Sequence, residues 1–346
     1  MKKNFLAIIF TTATLLVLTA CGGGGGGAPA APPAGGGGGA APPAAAEETI
    51  VFSFGHVLAP EHPYNLGAIR FREILMEISP VPVDVEIFHS AQLGNERDMT
   101  EGMQLGTIDM ALAPGTMVLF EPRMGVFDLP YIFDDEAHAH RVLDGPIGDE
   151  LASGLPSNGL RLLAYWENGF RNVTSSLRPI NHPDDLAGKR IRLPENPIYQ
   201  AAFENFGASV FAIPSAENYA ALQQGVVDGQ ENPLVHIVTS RFYEVQDYLS
   251  VTAHTYGPAH LLISEATWQS LSPELQEAIQ IAAIEARDYQ RRIILEGIDE
   301  ARAYLEQHLV VNDVDTAPFR EASMVVWDMF RDDFGDLIDR IRAYAN

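Results

Sequence analysis

The chain has 346 residues, 22 Lys and Arg against 46 Asp and Glu, a net charge of -24 and one cysteine. So acidic a surface repels nucleic acid, and no basic stripe offsets it. A single thiol excludes an internal disulfide and any zinc-thiolate set.

Residues 1–20 read as a secretory signal, with Lys2 and Lys3 ahead of an uncharged apolar run that is too short to span a bilayer. The run closes on Leu18-Thr19-Ala20-Cys21, which resembles a bacterial lipoprotein box and implies cleavage before Cys21 and its acylation. Residues 21–48 are then a lipid-bearing Cys and a tether built almost wholly of Gly, Ala and Pro. Its glycine run is no nucleotide loop, because neither a strand nor a helix flanks it.

From Glu47 onward strand-like and helix-like stretches alternate, which predicts α/β layers with substantially parallel sheets. The early elements are a strand over 50–54, a helix over 64–78 with Phe71, Ile74, Leu75 and Ile78 on one face, and a strand over 83–88. Further strands are expected over 108–112, 160–165, 190–193, 209–211 and 261–264. Asp134 and Asp135 precede an apolar-periodic segment and read as a helix start, with His138 and His140 on different faces of that helix rather than as a metal pair. Ala221 to Gln224 should end a helix at Gly225, Val226 and Val227 form a brief strand, and Asp228-Gly229 turn the chain. The polar run Gln230, Glu231, Asn232 has no explanation in turn chemistry. Ser272 and Pro273 open a long helix, about 273–308, with Gly297 as a point of bending.

In "GKRIRLPENP" alternation places Ile191 and Leu193 on one face of a strand and Arg190 and Arg192 on the other, and Pro194 ends it. Open α/β sheets set their ligands at such carboxyl ends, and a guanidinium there offers a rigid fork of donors matched to a carboxylate. A surface ion pair is the competing role. No nucleophile elbow, zinc-protease helix or phosphate loop occurs, so no catalytic residue, metal or cofactor is assigned and the chain is not expected to be an enzyme.

Six phrases in order carry a resemblance: "SAQLGNERDMTEGMQLGTIDMAL", "FDLPYIF", "ENGFRNVTSSLRPI", "DLAGKRIRLPENP", "FGASVFAIPSAENYAALQQGVVDGQENP" and "RFYEVQDYLSVTAH". Over about Ile50 to the C-terminus the chain resembles the DctP-type solute-binding subunits of tripartite ATP-independent periplasmic (TRAP) transporters. The resemblance implies a two-domain α/β fold of the periplasmic-binding-protein kind, with a ligand cleft between domains and a long bracing helix. Residues 49–168 with 259–346 would form one domain and residues 169–258 the other. It further implies capture of a small organic acid, whether dicarboxylate, sugar acid or keto acid, and delivery to membrane permease subunits, with the protein outside the cytoplasm and held by its lipid alone.

The family's carboxylate-gripping arginine falls on Arg192, a second arginine on Arg171 and the cleft asparagine on Asn232. Asn168 is a candidate partner for ligand hydroxyls, Trp166 and Phe211 for apolar walls, and His56 for a cleft-lining loop. Sialate-binding members carry an acid after the third strand and an asparagine beyond the central arginine. Pro114 and Glu195 stand there instead, which argues against sialate and leaves Glu195 to receive a hydroxyl or ammonium group or to cap the next helix. The rival readings are the binding lipoprotein of an ATP-driven transporter, a lipid-anchored hydrolase and a structural adhesin.

Overall fold

The computed structural model describes residues 48–345, so the signal segment, Cys21 and most of the tether lie outside the described residues. Among the described residues nine strands form one sheet: β1 Ile50–Gly55, β2 Val83–Phe88, β3 Met110–Pro114, β4 Leu160–Ser175, β5 Arg190–Leu193, β6 Ser209–Ala212, β7 Gly229–Asn232, β8 Tyr248–Ser264 and β9 Val310–Asp313. Their order is β2-β1-β3-β8-β4-β7-β5-β6, with β9 added beside β8. The flanks are parallel, as alternating strands and helices require, but β3-β8, β8-β4 and β4-β7 are antiparallel.

The centre of the sheet departs most from expectation. β4 and β8 run 16 and 17 residues, far beyond 160–165 and 261–264, and pair with each other from Leu160↔Ser264 to Ser175↔Tyr248. Irregularities interrupt that ladder between Leu162 and Ala164, between Glu167 and Gly169, and between Arg171 and Val173. Polar residues such as Glu167, Asn168 and Asn172 along β4 hide its length from a pattern search, because they are buried by partners distant in sequence. Gly169 takes φ +104° at the middle irregularity, a conformation that favours glycine.

Among the described residues the α-helices are α1 Pro63–Ile78, α2 Glu96–Gln104, α3 Glu136–Leu143, α4 Pro146–Ala152, α5 Pro197–Asn205, α6 Asn218–Gln223, α7 Leu234–Thr239, α8 Glu265–Ser270, α9 Pro273–Leu305, α10 Ala317–Met329, α11 Arg331–Phe334 and α12 Leu337–Ala343. Asp135 caps α3, accepting from the His138 backbone N–H, and Ser272 caps α9, accepting from that of Leu275. α9 is one continuous helix of 33 residues, about 50 Å long at ~1.5 Å per residue. Gln290 on α9 accepts from the Glu167 N–H and donates to the Glu167 carbonyl, which ties the helix to the midpoint of β4.

The larger apolar core joins β1 to β3, α1, the first half of α9 and the β5-α5 unit. A second cluster gathers Leu222, Leu234, Ile237, Phe242 and Leu249 around Ala301, Leu305 and Leu309. The end of α9 therefore packs in a different cluster from its beginning.

Val226 and Val227 form no strand; the polar run Gly229–Asn232 is β7 instead. It lies between β4 and β5, so its backbone is satisfied from both sides and its side chains need only polar partners, which they find in the site described next.

Candidate functional site

A cleft with about 310 Å³ of open space lies at the carboxyl end of β5. Its principal polar lining groups are Arg192, Arg171, Asn168, Asn232, Glu96 and His236.

Arg192 is the third residue of β5, and alternation gives its neighbours Ile191 and Leu193 to the core, where both are fully buried. Arg190 and Arg192 share the opposite face but meet different surroundings. Arg190 is half-exposed and pairs with Asp228 at 2.5 Å. Arg192 is only 1 % exposed and has no carboxylate within 4.0 Å among the described residues. Its Nε donates to the Ile213 carbonyl at 2.7 Å and Nη2 approaches Ser215 Oγ at 3.5 Å, which leaves most of the fork unused. Burial pulls its pKa down to about 10, against the attraction of Glu96, so it stays charged at neutral pH.

Arg171 on β4 is buried too, but its charge is already met. Nε donates to Glu231 Oε2 at 2.5 Å, and Nη2 donates to Glu231 Oε1 at 2.7 Å, to the Glu231 carbonyl at 2.8 Å and to Asn232 Oδ1 at 3.1 Å. The guanidinium also lies 5.3 Å from the centre of the Tyr199 ring. Burial alone would raise the Glu231 carboxyl; Arg171, with help from His254 at 3.1 Å, instead holds it down at about 2. For Arg171 burial opposes the charge and Glu231 overcomes it, so the pKa is raised. The antiparallel β4-β7 register, which sets Asn172 opposite Asn232 and Val173 opposite Glu231, brings the pair together.

Below this pair Asn196 caps α5, accepting from the Ile198 and Tyr199 N–H groups. Its Nδ2 donates to Asp128 at 2.7 Å and to the Gly115 carbonyl at 3.0 Å. Burial pushes the Asp128 carboxyl up to about 6, although Asn196 and Tyr199 both donate to it. His236 on α7 is held down at about 3, by burial first and by Arg171 second, and its Nδ1 has no partner among the described residues. A neutral imidazole therefore faces the cleft.

Of the residues singled out in the sequence, Arg192, Arg171, Asn232 and Asn168 are brought together around the cleft. The other four lie elsewhere. Trp166 is fully buried in the core beside Phe54, against Gly67 of α1. Phe211 stands 38 % exposed on the edge strand β6. His56 is buried behind the cleft, with Nε2 3.3 Å from Asn65 Oδ1, while the following Val57 and Leu58 reach the lining. Glu195 does not cap α5; it pairs with Arg97 of α2 at 3.3 Å beside a smaller hollow adjoining the cleft. Asn196 takes the cap because its short amide reaches the N–H groups two and three residues on.

Glu96, Ser215, Glu231 and His236 were missed. Glu231 had a signal, a polar run between elements that read as buried. Glu96 is one acid among 46, and nothing local distinguishes it.

Residues 54–333 match the family model for bacterial extracellular solute-binding proteins of family 7, DctP. The chain is 37 % identical over 299 residues to the 2,3-diketo-L-gulonate-binding periplasmic protein YiaO of Escherichia coli, covering 84 % of this chain and 90 % of that one. It is 35 % identical over 278 residues to the C4-dicarboxylate-binding periplasmic protein DctP of Rhodobacter capsulatus, covering 79 % and 81 %. Among solved structures, a TRAP periplasmic solute-binding protein from Polaromonas sp. JS666 bound to D-erythronate superposes with a TM-score of 0.83 at 35 % identity, over 85 % of this chain and 98 % of that one.

Proposed function

This chain belongs to bacterial extracellular solute-binding protein family 7, and we propose that it captures a small organic acid by clamping the acid's carboxylate on Arg192. It is a solute-binding protein of the TRAP type, a family of binding proteins rather than of enzymes, and it works outside the cytoplasm. One observation carries the ligand assignment: a fully buried guanidinium lines the cleft with no carboxylate within 4.0 Å of it among the described residues. A buried charge left so is costly unless a ligand completes it.

The two arginines have different tasks in this reading. Arg171 is fixed by Glu231 and presents Asn232 in a set position, while Arg192 supplies the unspent charge. Asn168, His236 and Glu96 take the remaining polar groups of the acid. Residues 49–168 with 259–346 move as one body and 169–258 as the other. The irregularity of the β4-β8 ladder at Glu167 and Gly169 supports that hinge. Arg192 and Glu96 lie on opposite sides of it, so ligand favours closure by completing both at once. The closed form is then recognised by permease subunits, and acylated Cys21 holds the protein to the membrane.

The test is calorimetry over a panel of organic acids with the native chain and Arg192→Ala. The native protein should bind at least one acid, and the variant should lose more than about 2 kcal/mol of that affinity. Equal affinity in the two proteins refutes the clamp. For the anchor, Cys21→Ser should release the protein from membranes and abolish labelling by a fatty acid.

A further inference from the structure

The cleft's charges are nearly balanced before any ligand enters. Of its two guanidinium groups, Arg171 is consumed by the Glu231 carboxylate in a two-pronged bond. The other, Arg192, shares the cleft with Glu96, which is itself buried and accepts from Ser215 Oγ at 2.7 Å through Oε1. Glu96 Oε2 accepts no hydrogen bond among the described residues. The other polar groups that await partners are neutral: the Asn168 side-chain amide and His236 Nδ1.

We propose that this site selects singly charged hydroxy acids and rejects dicarboxylates, because one unspent cation faces a carboxylate and neutral amide and imidazole groups. The inference rests on the organic-acid reading above and narrows it. One carboxylate satisfies Arg192. A second would lie in the same small hollow with no cation left to meet it and with Glu96 as a neighbour of like sign, and an unpaired buried charge is far costlier than an unpaired hydroxyl. A hydroxyl at the same place can donate its one proton to Glu96 Oε2 and accept from the Asn168 side-chain NH2. Glu96 is then the specificity-determining residue, acting by attraction to hydroxyl donors and by repulsion of a second carboxylate.

The experiment is titration calorimetry on the native protein with aldonates of increasing length, D-erythronate to D-galactonate, each beside the aldarate of the same carbon skeleton. Succinate and neutral galactose complete the set. The best aldonate should bind at least about 100-fold tighter than its aldarate and than succinate, the size expected when one partner leaves a buried charge unmatched. Glu96→Gln, which keeps shape but removes charge, should narrow that ratio by at least about tenfold. An aldarate or succinate that binds as well as the best aldonate overturns the inference and leaves the organic-acid reading intact. An unchanged ratio in folded Glu96→Gln removes Glu96 from the role. Binding of none of the acids, or of galactose alone, overturns both readings together.

Discussion

Arg171 and Glu231, 60 residues apart in sequence, meet through two charge-assisted bonds of 2.5 and 2.7 Å, with both side chains almost wholly out of water. The pair fixes one side of the cleft and cancels one of its two positive charges. Glu231→Gln leaves the guanidinium buried without a counter-charge, so it should lower unfolding free energy by about 3–5 kcal/mol. Denaturant unfolding of the ligand-free protein measures this, and a loss below ~1 kcal/mol would mean that the pair is not the structural clamp described here.

Arg192→Lys keeps the charge and loses the fork. Lysine cannot supply two parallel donors while also holding the Ile213 carbonyl, so ligand affinity should fall by about tenfold or more with little change in melting temperature. Parallel calorimetry and thermal melts separate the two effects. Native affinity in this variant would show that charge alone, without the planar geometry, accounts for recognition.

Acid should destabilise the fold well above the range where most carboxylates titrate. Burial depresses His56 to about 4, His236 to about 3 and His260 to about 4. Between those values and the ordinary 6.5 the unfolded chain binds more protons, so their contribution is complete above 6.5 and is lost as pH falls through the window. The loss is up to about 3 kcal/mol each for His56 and His260 and up to about 5 kcal/mol for His236. Asp128, raised to about 6, works in the other direction: its protonation on folding favours the native state as pH falls from 6 toward 3.8. Three imidazoles outweigh one carboxyl, so the melting temperature should fall steadily from about pH 7 to about pH 5. A melting temperature that rises over this interval would contradict the sign.

Two glycines should respond in opposite senses. Gly297 lies inside α9, and a Cβ there would meet only Val235 at 3.9 Å, an ordinary contact. Gly297→Ala should therefore add about 0.5–1 kcal/mol through backbone entropy. At Gly229 in β7 a Cβ would stand 2.3 Å from the Thr174 carbonyl oxygen, so Gly229→Ala must push β7 from β4. It should cost at least about 2 kcal/mol and disturb the Arg171 clamp as well. Chemical denaturation of both variants, with ligand affinity for the second, checks the contrast.

Local rules were enough for the elements whose causes are local. Ser272 and Asp135 cap the helices that their positions predict, Pro194 closes β5, and Ile191 and Leu193 face the core as alternation requires. The resemblance drew Arg192, Arg171 and Asn232 toward one site, and the chain's membership of the solute-binding family agrees with it. Local rules failed where burial is conferred by distant partners. β4 and β8 are twice as long or more than their apolar stretches suggest, and β7 is a strand of polar residues, because each lies between neighbours that supply both hydrogen bonds and counter-charges.

The order of strands and helices, the acidic surface and the presence of arginine at the end of β5 follow from the sequence itself, since propensity, capping and alternation act over a few residues. Which arginine keeps its charge free was decided only by the tertiary structure. Asp228 claims Arg190 and Glu231 claims Arg171 through strand pairings that join residues 38 and 60 positions apart, and Arg192 is left facing the cleft because no carboxylate among the described residues comes within 4.0 Å of it. Electrostatic pairing depends on distance in space, which the chain's linear order does not contain.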